Sequence, residues 1–382
     1  MSQEQQQENK QKIRIGLIFG GRSGEHEVSL ASANSVMANL DKDKYEVILI
    51  GITKTGAWLL GTDPTRLLAS PDAQPNSAQS DQQATTAVTL TGDPNVRRLI
   101  PLQNGTQLHD NGALDVIFPV MHGTYGEDGA LQGLLEMANV PYVGCGVLGS
   151  ALGMDKEKMK MLFQAIHLPV LPFLAYHRKQ WKQAPETILL AVEQELGYPC
   201  IVKPANMGSS IGVSKAADRQ TLEQAIAQAG EYDTKIIIER WLDVRELSCA
   251  VLGNEEPKTS LIGELVTEMT LLDYDAKYLH PGFHFDVPAT IPGPLAKEVF
   301  HMSTQAFLVL DLSGLARVDF FLDRNDGRIY INEVNTMPDF TQDSVYPKLW
   351  SASNLPYPKL LDRLIELALE RHQDRQRMRT RR

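Results

Sequence analysis

Short apolar runs ending in glycine-rich polar loops recur along the first third of the chain. Lys12 to Phe19 is the first, followed by Gly20-Gly21-Arg22-Ser23-Gly24-Glu25-His26-Glu27 and a helical spacing through Leu40. Tyr45 to Ile52 is the second; Leu114 to Val120 is the third and ends in Met121-His122-Gly123-Thr124-Tyr125-Gly126-Glu127-Asp128-Gly129. Consecutive apolar positions predict strands buried on both faces, and the strand–loop–helix–strand order predicts a doubly wound α/β domain. Loops at the C-terminal ends of such strands are where ligands bind. Ala130 to Met137 predicts a helix, and Pro141 to Gly146 closes the unit. Between Leu60 and Gly112 the composition turns to Ser, Gln, Asp, Thr and Pro, which predicts a loop-rich, partly disordered insertion with one strand at Val96 to Leu102.

From Ser150 the pattern changes. Met154-Asp155-Lys156 opens a helix whose periodic apolar residues run to Ile166. Leu196 to Pro204 predicts a strand carrying Lys203, and the loop Gly208-Ser209-Ser210-Ile211-Gly212 offers N–H and hydroxyl donors suited to phosphate oxygens. The spacing is neither a P-loop nor, in the first domain, a dinucleotide fingerprint. Thr221 to Ala229 predicts a helix and Lys235 to Glu239 a strand, leading into Trp241, Leu242 and Glu246. Aperiodic aromatic and charged residues around Tyr274, Lys277 and Tyr278 predict a long loop or lid. Tyr357 to Leu369 predicts a closing helix, and the Arg-rich end from about Arg371 a solvated tail.

The stretch from Gly314 to Ser344 carries the sharpest chemistry. Two β-rich runs flank Asn325-Asp326-Gly327, which predicts a β-hairpin. Side chains two apart share a strand face, so Arg317 joins Asp319 on one strand and Glu333 joins Asn335 on the other. Two carboxylates, an amide and a guanidinium on one face need pairing or a metal, and hard oxygens with room for phosphate suit Mg²⁺. A solvated face with an Arg–Asp pair is the plainer alternative. Similarly, Glu25 reads either as a cation receptor or as a helix-start acid.

Composition narrows the class. The 382 residues carry 43% hydrophobic and 22% charged residues, which predicts a globular protein of two or three domains. A net charge of −10 argues against nucleic-acid binding. Three widely spaced cysteines show neither metal nor disulfide spacing. No apolar run reaches membrane-spanning length, and a Gln/Glu/Lys-rich start is no signal peptide, so a cytoplasmic protein is expected.

Taken in order, Gly-Gly-x-Ser-x-Glu-x-Glu-Val-Ser, His-Gly-x-x-Gly-Glu-Asp-Gly, Met-Asp-Lys, Val-Lys-Pro with Gly-Ser-Ser-x-Gly-Val, Tyr-Asp-x-Lys-Tyr, Arg-Val-Asp and Asn-Glu-Val-Asn-Thr-x-Pro resemble the ATP-grasp superfamily, and within it the D-alanine–D-alanine ligases. The resemblance implies an α/β, in parts α+β, fold of three domains: a tail at 1–11, an N-terminal α/β substrate domain at 12–146 with an insertion at 60–112, a central ATP-grasp unit at 147–239, and a C-terminal unit at 240–382 with lid and Mg²⁺-binding hairpin. It implies ATP-dependent ligation of two D-alanines through an acyl phosphate. Lys156, Lys203, Gly208, Ser209 and Ser210 would hold phosphates; Glu239, Trp241, Leu242, Glu246 and Asn332 would contact the rest of the nucleotide. Asp319, Glu333 and Asn335 would ligate two Mg²⁺ or Mn²⁺ ions. Glu25 would take the first D-alanine's ammonium and, with Ser209 and Tyr278, close the lid; Lys277 and Ser344 would take the second D-alanine's carboxylate, beside His122 and Asp339; Arg317 would face the oxyanion. Asp339 stands where the family usually places Gly, which leaves D-lactate or D-serine open as second substrate. A homodimer is implied by resemblance, with neither nucleic acid nor membrane as partner. An inactive nucleotide-binding homologue would typically lose some of these residues, and a nicotinamide dehydrogenase lacks its fingerprint here.

Overall fold

The computed structural model describes residues 12–61, 63–64, 85–103, 105–267 and 283–378. Both termini, positions 62, 65–84 and 104 within the insertion, and the segment holding Tyr274, Lys277 and Tyr278 lie outside them.

Three sheets organise the described residues. In the first, β1 (Ile13–Gly20) runs parallel to β2 (Tyr45–Ile52) and β6 (Val116–Pro119), the arrangement that apolar runs buried on both faces predict. Strands β3 (Trp58–Gly61), β4 (Thr86–Leu90) and β5 (Leu99–Pro101) then extend it antiparallel, in the order β5-β4-β3-β2-β1-β6. The described part of the insertion is therefore sheet as well as loop. Helix α1 (His26–Asn39) follows β1, and α2 (Ala130–Met137) packs with Ile18, Ile50 and Ile117 on the sheet's other side.

The second sheet, β7-β10-β8-β9, joins Phe173–His177, Lys235–Arg240, Cys200–Pro204 and Ser214–Ala216 in antiparallel pairs. Helix α3 (Val147–Met154) leads to α4 (Lys156–Ala165), which starts where Asp155 caps it by accepting from the Lys158 N–H. Helices α5 (Arg178–Gln183), α6 (Pro185–Glu195) and α7 (Arg219–Tyr232) complete this part, α6 and α7 burying Val192, Leu222 and Ile226 against the sheet.

The third sheet, β13-β12-β11-β14-β15, is antiparallel throughout and contains Phe283–Asp286, Lys258–Thr267, Val244–Gly253, Gly314–Asp323 and Ile329–Asn335. Along β14 the alternate residues Ala316, Val318, Phe320 and Leu322 are buried in the core shared with Val299 and Phe307 of α8 (Gly293–Val309), so Arg317 and Asp319 face the other side. Short α9 (Val345–Ala352) precedes the closing helix α10 (Tyr357–Gln376).

Helix α10 corrects the expected solvated tail at its start: Arg371 and His372 are half-buried on it, while 373–378 are exposed as expected. Its Leu360, Leu361, Leu364 and Ile365 lie in one core with Ile15, Leu17 and Phe118 of the first sheet. Arg371 then donates to the carbonyls of Tyr142 (2.9 Å) and Gly144 and to the Ser313 hydroxyl, and stacks 4.5 Å above the Tyr142 ring. Arg375 pairs with Glu136. The amphipathic spacing of α10 continues past Leu369, so the arginines ride on a docked helix. Arg371→Ala is expected to lower unfolding free energy by about 2–3 kcal/mol, while Arg377→Ala, whose ion pair with Asp374 is exposed, leaves it unchanged. Denaturant unfolding of the two variants checks this.

Candidate active site

The hairpin β14–β15 sets Asp319 opposite Glu333 and Arg317 opposite Asn335. Asp319 is gripped from three sides. Arg317 approaches it with Nε and Nη2, each at 2.8 Å; Ser248, its neighbour on β11, donates to Oδ1 at 2.7 Å; the Asn335 amide donates to Oδ2 at 3.0 Å. Burial works against the Arg317 charge, but Asp319 beside it outweighs burial and holds the guanidinium firmly protonated. After Asp319 the register slips: Phe320 pairs with Ile331, leaving Asn332 as a bulge. Strict alternation would turn Asn332 away from Glu333; the bulge lets both line the same cleft.

Two cavities meet over this hairpin. One, of about 150 Å³, is lined by Lys156, Lys203, Ser210, Glu239, Trp241 and Leu242. The other, of about 210 Å³, is lined by Glu25, His122, Glu127, Arg317, Asp319 and Asp339. Gly208, Ser209, Glu246, Asn332 and Glu333 belong to both walls.

The first cavity is rich in cations. Lys156 donates to the Met207 carbonyl at 2.7 Å and stands 3.4 Å from Glu333. Lys203 stands 2.7 Å from Glu239 Oε2, and Lys160, fully enclosed, 2.9 Å from Oε1. Burial opposes the Glu239 charge, yet the two ammoniums outweigh it and hold this carboxyl down at about 2. Burial likewise opposes the Lys203 charge, which Glu239 and Glu333 restore. Across the mouth, Lys215 sits 3.6 Å over the Trp241 ring.

The second cavity's upper wall comes from the two glycine-rich loops. The Ser29 hydroxyl donates to the Val120 carbonyl at 2.5 Å, and the Ser23 hydroxyl to that of His122 at 2.7 Å, stitching the loops together. Glu25, almost buried, accepts from the Ser209 hydroxyl. Ser209 and Ser210 have φ of 47° and 58°, a left-handed backbone that non-glycine residues adopt only when surroundings enforce it. His122 spans domains: Nδ1 meets the Met337 carbonyl at 3.0 Å and Nε2 the Ser32 hydroxyl at 2.9 Å, while Ser32 accepts from the Phe340 N–H. Burial lowers the His122 pKa, and a neutral ring protonated on Nδ1 satisfies every partner. His122 thus anchors the Met337–Phe340 segment that carries Asp339. Ser344 caps α9 and shares a 2.6 Å hydrogen bond with Thr341; Val345 forms the cavity wall there. Lys277 and Tyr278 lie outside the described residues.

Three residues were not singled out from sequence. Lys160 is one helical turn beyond Lys156, a spacing that puts both on one face. Ser248 follows Glu246 by two along β11. Glu127 lies inside the second glycine-rich motif, accepts from the Gly123 N–H at 2.6 Å, and is pushed well up by burial and by Glu25 nearby.

A divalent cation fits the hairpin. Asp319, Glu333 and Asn335 bring hard oxygen donors together, and the buried Asn332 Oδ1 has no hydrogen-bond partner among the described residues.

A cation-lined cleft between the second and third sheets, facing an α/β domain, defines an ATP-grasp type of ligase fold. Residues 14–145 match the family described as D-ala D-ala ligase N-terminus, and 162–366 its C-terminus. The D-alanine–D-alanine ligase of Ruminiclostridium cellulolyticum is 46% identical over 96% of this chain and 98% of its own, and that of Heliobacterium modesticaldum 47% over 97% and 98%. Among solved structures, the Coxiella burnetii D-alanine–D-alanine ligase is 35% identical with TM-score 0.80, covering 96% of each chain. The VanG D-Ala:D-Ser ligase of Enterococcus faecalis is 34% identical with TM-score 0.81, covering 94% of this chain and 100% of that one. The chain belongs to the D-alanine–D-alanine ligase family.

The depressed Glu239 carboxyl has a pH signature. Its folded pKa lies below the ordinary 4.5, so it stabilises the fold above that value and its contribution is lost as pH falls from about 4.5 towards about 2. Glu239→Gln is expected to flatten stability across that window, measured by denaturant midpoints at stepped pH.

Proposed function

We propose that the chain joins two D-alanines into D-alanyl-D-alanine, splitting ATP to ADP and phosphate through an acyl phosphate, as a step towards peptidoglycan precursor. The observation that carries this reading is the meeting of a lysine-lined cavity with a Glu25- and Arg317-lined cavity across Gly208, Ser209 and Glu333.

ATP lies in the first cavity, its base between apolar side chains near Trp241 and Leu242, with Glu239 and Glu246 at its polar edges. Lys156 and Lys203 neutralise phosphate oxygens, and the Gly208–Ser210 loop closes over them. Asp319, Glu333, Asn335 and the Asn332 amide oxygen would hold Mg²⁺, as two ions, or Mn²⁺. Bound there, the metal supplies charge neutralisation at the triphosphate. Glu25 receives the ammonium of the first D-alanine and aims its carboxylate at the γ-phosphorus. A carboxylate oxygen bonds to phosphorus as the bond to ADP breaks. The second D-alanine, its amine deprotonated, attacks the carbonyl carbon of the acyl phosphate. Arg317 stabilises the oxyanion, the carbon–oxygen bond to phosphate breaks, and phosphate leaves. His122 and Asp339 border the second D-alanine, whose carboxylate goes to Lys277 and Ser344. Tyr278, with Glu25 and Ser209, closes the lid that keeps water from the acyl phosphate.

In this reading the units at 12–146, 147–239 and 240–382 supply substrate loop, phosphate loop and hairpin, and the enzyme works in the cytoplasm as a homodimer without nucleic-acid or membrane partners. Among the described residues no helix is long and apolar enough to cross a membrane. D-serine as second substrate is a second reading, favoured by Asp339, whose carboxylate would accept a hydroxyl hydrogen bond at the cavity wall.

Phosphate release with ATP and D-alanine, D-serine, D-lactate or L-alanine, with mass spectrometry of products, tests the reading. The expected outcome is release with D-alanine and formation of its dipeptide. Mixed product with D-serine supports the second reading, and ATP binding without release in any mixture contradicts both.

A further inference from the structure

The reading above leaves Lys160 without a task. Its side chain is fully buried and lines neither cavity, so its ammonium is out of a nucleotide's reach. It is placed behind Glu239, 2.9 Å from Oε1 and badly angled for a hydrogen bond, with Lys203 at 2.7 Å on the opposite oxygen. Two ammoniums thus share one carboxylate that is itself 2% exposed. As a stability device this is poor: one lysine would neutralise Glu239, and the second adds a buried positive charge that must be desolvated.

The arrangement makes sense when Lys203 has a second partner to serve. Lys203 alone of the two lines the nucleotide cavity. With the cavity empty its charge is spent on Glu239. A phosphate that draws Lys203 away would, in a simple pair, abandon a buried carboxylate, and breaking one partner from a buried pair is strongly unfavourable. Lys160 stays behind in that event, anchored on α4 one turn past Lys156 and with no hydrogen-bond partner among the described residues. We propose that Lys160 is a positioning residue: it is the standing counter-charge of Glu239, and so frees Lys203 to engage the nucleotide's phosphates.

The proposal rests on the reading of Lys203 as a phosphate ligand, and the experiment separates the two. A non-hydrolysable ATP analogue, adenylyl imidodiphosphate with Mg²⁺, is titrated calorimetrically into the full-length wild type, Lys160→Met, Lys160→Arg and Lys203→Met. The expected Kd of Lys160→Met rises roughly 10- to 100-fold. Its ATP KM rises in parallel while kcat at saturating ATP stays within about threefold. Lys160→Arg, which keeps the counter-charge of Glu239, recovers most of the lost affinity. A merely structural Lys160 would give no such recovery. Wild-type affinity in Lys160→Met, or failure of Lys160→Arg to restore it, overturns the proposal. Unchanged affinity in Lys203→Met instead overturns the phosphate-ligand reading. Should Lys160→Met fail to fold, Lys160→Gln decides: a Kd raised more than about tenfold supports the standing counter-charge, and wild-type affinity contradicts it.

Discussion

Asp319 could not sit where it does as an isolated carboxylate. It lies half-buried on a sheet face, and the bidentate Arg317 contact, the Ser248 hydroxyl and the Asn335 amide together hold it in place. That grip fixes the floor of both cavities, because the same two strands carry Asn332 and Glu333. The core behind the strands supports it: Val318 and Phe320 of β14 and Val334 of β15 lock the hairpin against α8, so the polar face cannot rotate away. Binding groups carried on a rigid hairpin can be placed to within the tolerance that phosphoryl transfer demands.

Opposite that floor the molecule brings in like charges. Glu25 and Glu127 both approach Gly123 and lie in one cavity wall, and burial together with its neighbour's charge pushes Glu127 well up. In the proposed reaction an incoming ammonium would meet these carboxylates. The neighbouring cavity sets lysines against its carboxylates, with Lys156 beside Glu333 and Lys203 beside Glu239 at its wall. A triphosphate and an ammonium would each find the opposite charge on its own side of the Gly208–Ser210 loop.

Much of this was legible in the chain. The hairpin is set by a turn sequence and by alternation, both local, so Arg317, Asp319, Glu333 and Asn335 were readable together. Glu25, Lys156 and Lys203 follow from loops and strand ends, also local. What escaped depends on pairing between distant segments. The Asn332 bulge needs the register with β14, and Lys160 looks like any polar helix residue until Glu239 arrives from β10. β5 falls within the strand expected at Val96 to Leu102, but the antiparallel extension through β3 and β4 rests on strands too short to signal themselves, and the docking of Arg371 requires knowing that α10 lies under the first sheet. The resemblance named the residues of the site; contacts across sheets decided what each one touches.

The central claim is that the two cavities meet so that a D-alanine carboxylate, rather than water, receives the γ-phosphoryl group. D-Alanine labelled with ¹⁸O in its carboxylate, turned over with unlabelled ATP in unlabelled water, tests this directly. One ¹⁸O atom in each phosphate released, matched by its loss from the dipeptide's new amide, is the predicted result. Phosphate carrying oxygen from water alone, with full label kept in the alanyl product, would contradict the account.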